Sequence, residues 1–194
     1  MPRYSQQSLR GQSFSVGARL VGDWNKLLLL TEEQQTQGKK TAEIGMNKSA
    51  EIYLAQLKKN LKGGGGKFGY DALSHEYQEK KSKAGLSVKM FELTGTLISS
   101  VSIYRTTRGN IAVGIGDKKA QRPKVDGFGE PGKITVGQYA RILEKGRGAS
   151  GKGGPQPARP IFKDTWIEIG GKKMVSRHVV KELKKFYRKY GIDA

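Results

Sequence analysis

The sequence predicts an α+β fold, a small antiparallel sheet with one long N-terminal helix and a C-terminal helix packed on it. Three patterns carry that expectation. Residues 99–105 and 111–115 each alternate apolar with polar or small side chains, and Thr107-Arg-Gly-Asn110 between them is turn chemistry; together they read as a hairpin. From Trp24 to Leu61 the apolar residues return at helical spacing, and Val175, Val179, Leu183, Phe186 and Tyr190 do so again near the C-terminus.

Taken in order, residues 1–11 form a flexible basic arm, followed by a single α+β domain over 12–190 and a tail at 191–194. Phe14, Val16, Ala18 and Leu20 alternate as one face of a strand over 13–21, and Asp23 is placed to cap the helix that follows. Trp24, Leu27, Leu28 and Leu30 open that helix; Met46, Ala50, Tyr53 or Leu54, Leu57 and Leu61 continue its apolar stripe. Such a helix is about 57 Å long at 1.5 Å per residue. Gly38 and Gly45 each cost roughly 1 kcal/mol relative to Ala, so a weak or bent point is expected between them.

Lys62-Gly-Gly-Gly-Gly-Lys67 reads as a flexible linker. It opens an insertion, 63–85, holding a short helix or surface excursion. Thr94 or Thr96 is placed to cap a short turn ahead of the hairpin, and 117–133 reads as a long loop before Ile134-Thr-Val136.

The segment 145–156 is made almost wholly of Gly, Ser, Lys, Arg and Pro, and cannot bury enough apolar area to offset its ordering entropy. It is expected to be a mobile loop between two anchored ends. Tyr139, Leu143 and Glu144 hold its entry. At its exit Pro160 stands as the first helical residue, and Phe162 and Trp166 dock the helix after it. Long loops on a rigid frame are commonly functional.

Composition narrows the chemistry. Lys and Arg number 36 against 17 Asp and Glu, a formal charge of +19. Nucleic acid, an acidic membrane surface and acidic protein neighbours each answer such a charge. Arg177, Lys181, Lys185 and Lys189 stack at i+4 intervals on the last helix, where like charges cost roughly 0.2–0.5 kcal/mol per pair; a solvated face or an acidic partner accounts for them. Cysteine is absent, which removes disulfides, thiolate nucleophiles and Cys-based metal sites. No apolar run spans a membrane and the N-terminus lacks the apolar centre of a signal peptide, so a soluble protein made in the cytoplasm is expected.

Catalytic motifs fail on inspection. Gly146-Arg-Gly-Ala-Ser-Gly151 and Gly127-Phe-Gly-Glu-Pro-Gly132 both match G-x-G-x-x-G, but neither is followed by a helix start. Gly153 stands where a Walker sequence places Ser or Thr after Lys152, and His75-Glu76 lacks a second histidine four residues on. No enzyme, metal or cofactor is expected.

One further pattern bears on function. Leu93-Thr-Gly-Thr-Leu-Ile-Ser-Ser-Val101 precedes a hairpin ending Val113-Gly-Ile115. Tyr139-Ala-Arg-Ile-Leu-Glu-Lys-Gly146 and Pro157-Ala-Arg-Pro-Ile-Phe162 follow. This order resembles the tail-completion and head–tail joining proteins of tailed bacteriophages, a family that includes minor tail proteins of the lambda Z type. There a "TG-x-L-x-x-S" turn precedes the hairpin, a "YA-x-x-x-E-x-G" strand end leads into a variable loop, and "PARP-F" starts a helix. Ile161-Phe162 replaces a simpler Pro-Phe, and the chain is more basic than the family pattern. The resemblance covers residues 90–170. It implies a virion protein of the neck, made in the host cytoplasm. Six copies would form a ring between the head connector and the tail tube, with DNA passing through the centre and in possible non-specific contact with it. Lys145, Arg147, Lys152 and Arg159, with Arg177, Lys181, Lys185 and Lys189, would then meet neighbouring rings, and Glu144 would pair with Arg159 or Arg147. The rival reading is a basic nucleic-acid-binding protein, although no helix-turn-helix, zinc-finger or aromatic-rich sheet signature is present.

Overall fold

The computed structural model describes residues 24–92, 95–107, 110–115, 135–148 and 156–189. The expected arm, the strand over 13–21, Asp23, Thr94, the loop 117–133, Lys152, Tyr190 and the tail lie outside them. Helix α1, Trp24–Lys62, runs for 39 residues. Two compact units divide inside it, Met1–Gln37 and Gly38–Ala194. Of the first, the described part is helix alone; the second carries every other described element.

Helical backbone continues through both glycines of α1, so the expected weak point is not a break. Gly45 has a packing role instead. Helix α6, Gly171–Arg188, crosses α1 there so closely that a Cβ on Gly45 would stand 2.6 Å from the Val179 Cα. Around the crossing, the Ser49 hydroxyl donates to the Gly45 carbonyl at 2.9 Å and lies 3.1 Å from His178 Nδ1. Lys48 reaches Glu182 at 2.9 Å. Met46, placed by periodicity on the buried stripe, is 40% exposed, whereas Ala50, Tyr53, Leu57 and Leu61 are buried.

Those α1 residues form one wall of the core. The others come from Phe91, from α3 (Thr96–Ser100), from the strands β1 (Val101–Arg105) and β2 (Ile111–Ile115), from α4 (Val136–Lys145) and from α5 (Ile161–Glu168). The strands pair antiparallel with Val101 opposite Ile115 and Arg105 opposite Ile111. A lone hairpin is marginal in water; Val101 and Ile115 anchor this one in the core, and Arg105 pairs with Glu43 of α1. Gly95, in the left-handed region at φ 75°, is the N-cap of α3, so Thr96 is the first helical residue and not the cap.

The glycine run after α1 is not a free linker. The amides of Gly63, Gly64 and Gly65 bond back to the carbonyls of Lys59, Leu61 and Asn60 at 2.9, 3.2 and 3.1 Å. Gly65, at φ 67°, lies under two rings; a Cβ there would come within 2.8 Å of Phe91 and 2.9 Å of Tyr70. Phe68 and Tyr70 pack against the core, so the expected insertion is part of the fold. Helix α2, His75–Lys83, is capped by Ser74. Its Lys81 is 1% exposed and donates to the carbonyls of Lys89 and Glu92 at 2.7 and 2.8 Å, pinning the turn that follows.

The two glycines of α1 should respond oppositely to alanine. Gly38→Ala meets nothing within 4 Å and should stabilise the protein by about 0.5–1 kcal/mol through helix propensity. Gly45→Ala must push α6 off α1 and should destabilise by about 1–3 kcal/mol, as overpacking does. Urea unfolding of the two variants checks both signs; equal stabilisation by both would show that α6 does not hold that crossing.

Candidate functional site

The stretch resembling "YA-x-x-x-E-x-G" is a helix, α4, not a strand end. Thr135 Oγ1 accepts from the Gln138 amide at 3.2 Å, and Gln138 Oε1 accepts from the Thr135 amide at 2.9 Å. This capping box was legible as Thr-x-x-Gln in the sequence, and it outweighs the β-branched look of Ile134-Thr-Val136. Leu143 is buried and Tyr139 half-buried against the core, so both anchor the segment's entry as expected.

At the end of α4 the chain turns sharply. Gly146 has φ 74°, and a Cβ there would lie 2.9 Å from both the Ala158 amide nitrogen and the Gln156 carbonyl oxygen; no other residue fits without a shift. Arg147 and Gln156 then exchange both backbone hydrogen bonds, at 2.8 and 2.9 Å. The expected mobile loop therefore has a paired base: Lys145 is the last residue of α4 and Arg147 is half-buried in an antiparallel bridge. The chain from 149 to 155, with Lys152, lies outside the described residues.

At the exit, Arg159 is the clearest correction. Expected as a docking charge, it is only 5% exposed. Its amide donates to the Leu143 carbonyl at 2.7 Å and its Nη2 to the Asp71 carbonyl at 3.2 Å, while Nε is buried without a partner. The Ile161 amide bonds to the Arg159 carbonyl at 2.7 Å across Pro160, whose φ of −75° and ψ of 58° are those of an inverse γ-turn. Pro160 is thus the N-cap of α5 and not its first residue.

Glu144 has a role the sequence reading missed. Its carboxylate accepts from the amides of Phe162 and Lys163, at 3.2 and 2.9 Å. It caps α5 from another helix, supplying the side-chain acceptor that Pro160 lacks. A negative charge at a helix N-terminus is also favoured by the helix dipole. Burial raises the Glu144 pKa above the ordinary carboxylate range, and neighbouring Asp164 adds to this; the two amide bonds and Lys163 oppose it.

Phe162 and Trp166 are half-buried, with the Trp166 ring edge-on to Tyr53 at 5.6 Å. The Tyr53 hydroxyl donates to the Phe162 carbonyl at 2.9 Å, and that of Tyr70 to Asp164 at 2.6 Å. Burial raises both phenol pKa values; at Tyr70 the bond to Asp164 adds to it, and at both the Glu144 charge does. Near the far end of α5, Asn60 donates to Thr165 Oγ1 and to Glu168, both at 2.8 Å, Gln56 donates to Glu168 at 3.0 Å, and Lys67 pairs with Glu168.

The frame around 149–155 is thus rigid on both sides, and the two basic groups of residues are separated by role. Lys145 is exposed, as are Arg177, Lys181, Lys185 and Lys189 on or just after α6, with Lys185 bonded to Glu182 at 3.1 Å. Among the described residues no three His, Asp or Glu side chains form a metal-binding group, and no helix is long and apolar enough to cross a membrane. Comparison with family models, with characterised proteins and with solved structures yields no match.

Glu144 variants should separate the cap from the charge. Glu144→Ala loses the cap and should cost about 1 kcal/mol at neutral pH; Glu144→Gln keeps one acceptor oxygen and should cost less. A carboxyl with a raised folded-state pKa favours the fold most below the ordinary glutamate value of about 4.3, and that contribution is lost as pH rises through the raised value. Glu144→Gln should therefore lower the stability in acid, taken relative to that in neutral solution, below the native protein's. Urea midpoints at both pH values for the three proteins provide the measurement, and an unchanged difference would remove Glu144 as its source.

Proposed function

We propose that this chain is a structural subunit of a bacteriophage neck, a ring-forming protein that joins the head connector to the tail tube. The observation that carries the reading is the double anchoring of the glycine-rich chain between Gly148 and Gln156. The residues on which the family resemblance rests are the ones that build the anchor. Ala140 and Leu143 are buried, Glu144 caps α5, Gly146 permits the turn, and Arg159 and Pro160 return the chain to the core. Such a frame holds its two ends in place whatever the intervening residues touch. Residues 149–155 offer almost no apolar area of their own. They therefore suit contacts that a neighbouring ring completes, where binding supplies what their own domain cannot.

The arrangement is that of an assembly element: rigid support, a polar reach and exposed charge. Lys145 beside the segment and Lys152 within it provide charge for an acidic neighbour. Ring closure would multiply each weak contact, since a second contact within one assembly is intramolecular.

Two results test the reading. In purified particles the chain should be present in several copies, six for a single ring, with density for the ring at the neck; one copy per particle would sink it. Removing Gly151 to Gly154 should leave the melting temperature of the isolated protein nearly unchanged, because the Arg147–Gln156 pair and the Glu144 cap lie outside the deletion. Joining of heads to tails should fail. Normal joining by the shortened protein would show that the segment is not a docking arm.

A further inference from the structure

Helix α6 carries a charge pattern sharper than the i+4 row read from the sequence. At 100° per residue, positions 173, 177, 181, 184 and 188 fall within about 80° of one another. All five are basic, and Lys173, Arg177, Lys181, Lys184 and Arg188 are all exposed. They extend over about 22 Å of helix, with steps of about 5–6 Å. Lys185 and Lys189 lie off this arc. The one acid of the helix, Glu182, faces the other way and is already bonded to Lys48 and Lys185. Among the described residues no ion pair involves any of the five.

We propose that this arc of α6 is a binding surface for the phosphate backbone of nucleic acid, sequence-independent and best suited to duplex DNA. The inference does not rest on the neck reading. Charge complementarity with a continuous polyanion is its basis: like charges at these spacings repel one another in the free protein, and a phosphate row relieves all of them together. Two other occupants fit less well. A protein partner calls for an apolar centre with lysine depleted, whereas this arc has lysine and arginine at its centre and Val180 only at its edge. A lipid surface calls for an apolar face to insert; Met174 and Phe186 of α6 are buried in the protein, and Val180 is the helix's one exposed large apolar side chain. The five charges are spaced along the helix as a row that matches a phosphate backbone, and phosphate contacts carry no sequence information, so binding without sequence preference is expected.

The test uses the full chain and a fluorescent 30-base-pair duplex of arbitrary sequence, titrated across a range of salt. With five phosphates neutralised, log affinity should fall with log salt at a slope of about −4.5, or about 500-fold between 50 and 200 mM. The triple variant Arg177→Gln, Lys181→Gln, Lys184→Gln should bring the slope to about −1.8. Removing the same charge elsewhere, by Lys59→Gln, Lys62→Gln and Lys89→Gln, should leave it near the starting value. A second measurement needs no variant: acetylation of Lys173, Lys181 and Lys184 in the native protein should be suppressed by the duplex, while that of Lys59, Lys62 and Lys89 continues. Equal effects of the two triple variants, equal protection of the two lysine sets, or no binding at low salt would overturn the proposal. So would polyglutamate binding as tightly as DNA at equal charge, which would assign the arc to an acidic protein.

Discussion

A helix of only two turns cannot satisfy its own ends, and the second unit is arranged around that constraint. Helix α5 leaves amides unpaired at its start and carbonyls at its finish, as every helix does, but in eight residues these are most of its backbone. Pro160 brings no side-chain acceptor. Part of the deficit is met from elsewhere, since Glu144 of α4 takes two amides; Tyr53 of α1 also donates to the Phe162 carbonyl, and Asn60 and Gln56 donate to the side chains of Thr165 and Glu168. Each bond that completes α5 also fixes the position of another element. Buried polar groups left unpaired would cost roughly 1–3 kcal/mol each, so the network adds to the apolar contacts that tie α1, α4 and α5 together.

Glycine plays a related part. In composition, 27 glycines suggest looseness, and the tetraglycine run suggests it most. At Gly45, Gly65 and Gly146 the missing Cβ instead admits another helix, an aromatic pair and a returning strand. These are close approaches, and two of them also need the left-handed backbone that other residues adopt at a cost. The chain spends flexibility in the unfolded state to gain contact distance in the folded one.

The positive charge likewise divides into two populations. Lys81 and Arg159 are buried and donate to backbone carbonyls. They hold loops against the core and are not offered to a partner. The arc on α6 and Lys145 are outside. Net charge by itself predicts neither group; a cation is internal where the surrounding turns direct several carbonyls at one point, as the residues after α2 do for Lys81.

By itself the sequence determined the mixed fold, the paired strands of the hairpin, the long first helix, and the core positions Leu57, Leu61 and Leu143. These follow from local periodicity and turn chemistry, which a linear pattern records. Tertiary structure decided the rest. Gly45 becomes a crossing point only because α6 lies on it, and Met46 is exposed because α6 and the core occupy other sides of α1. Glu144 is a cap only because α5 starts beside it, 18 residues away in sequence. Arg159 donates inward because the Asp71 carbonyl, 88 residues earlier in the chain, lies beside it. Each of these depends on a distance between residues remote in the chain, and no periodicity in the sequence encodes such a distance.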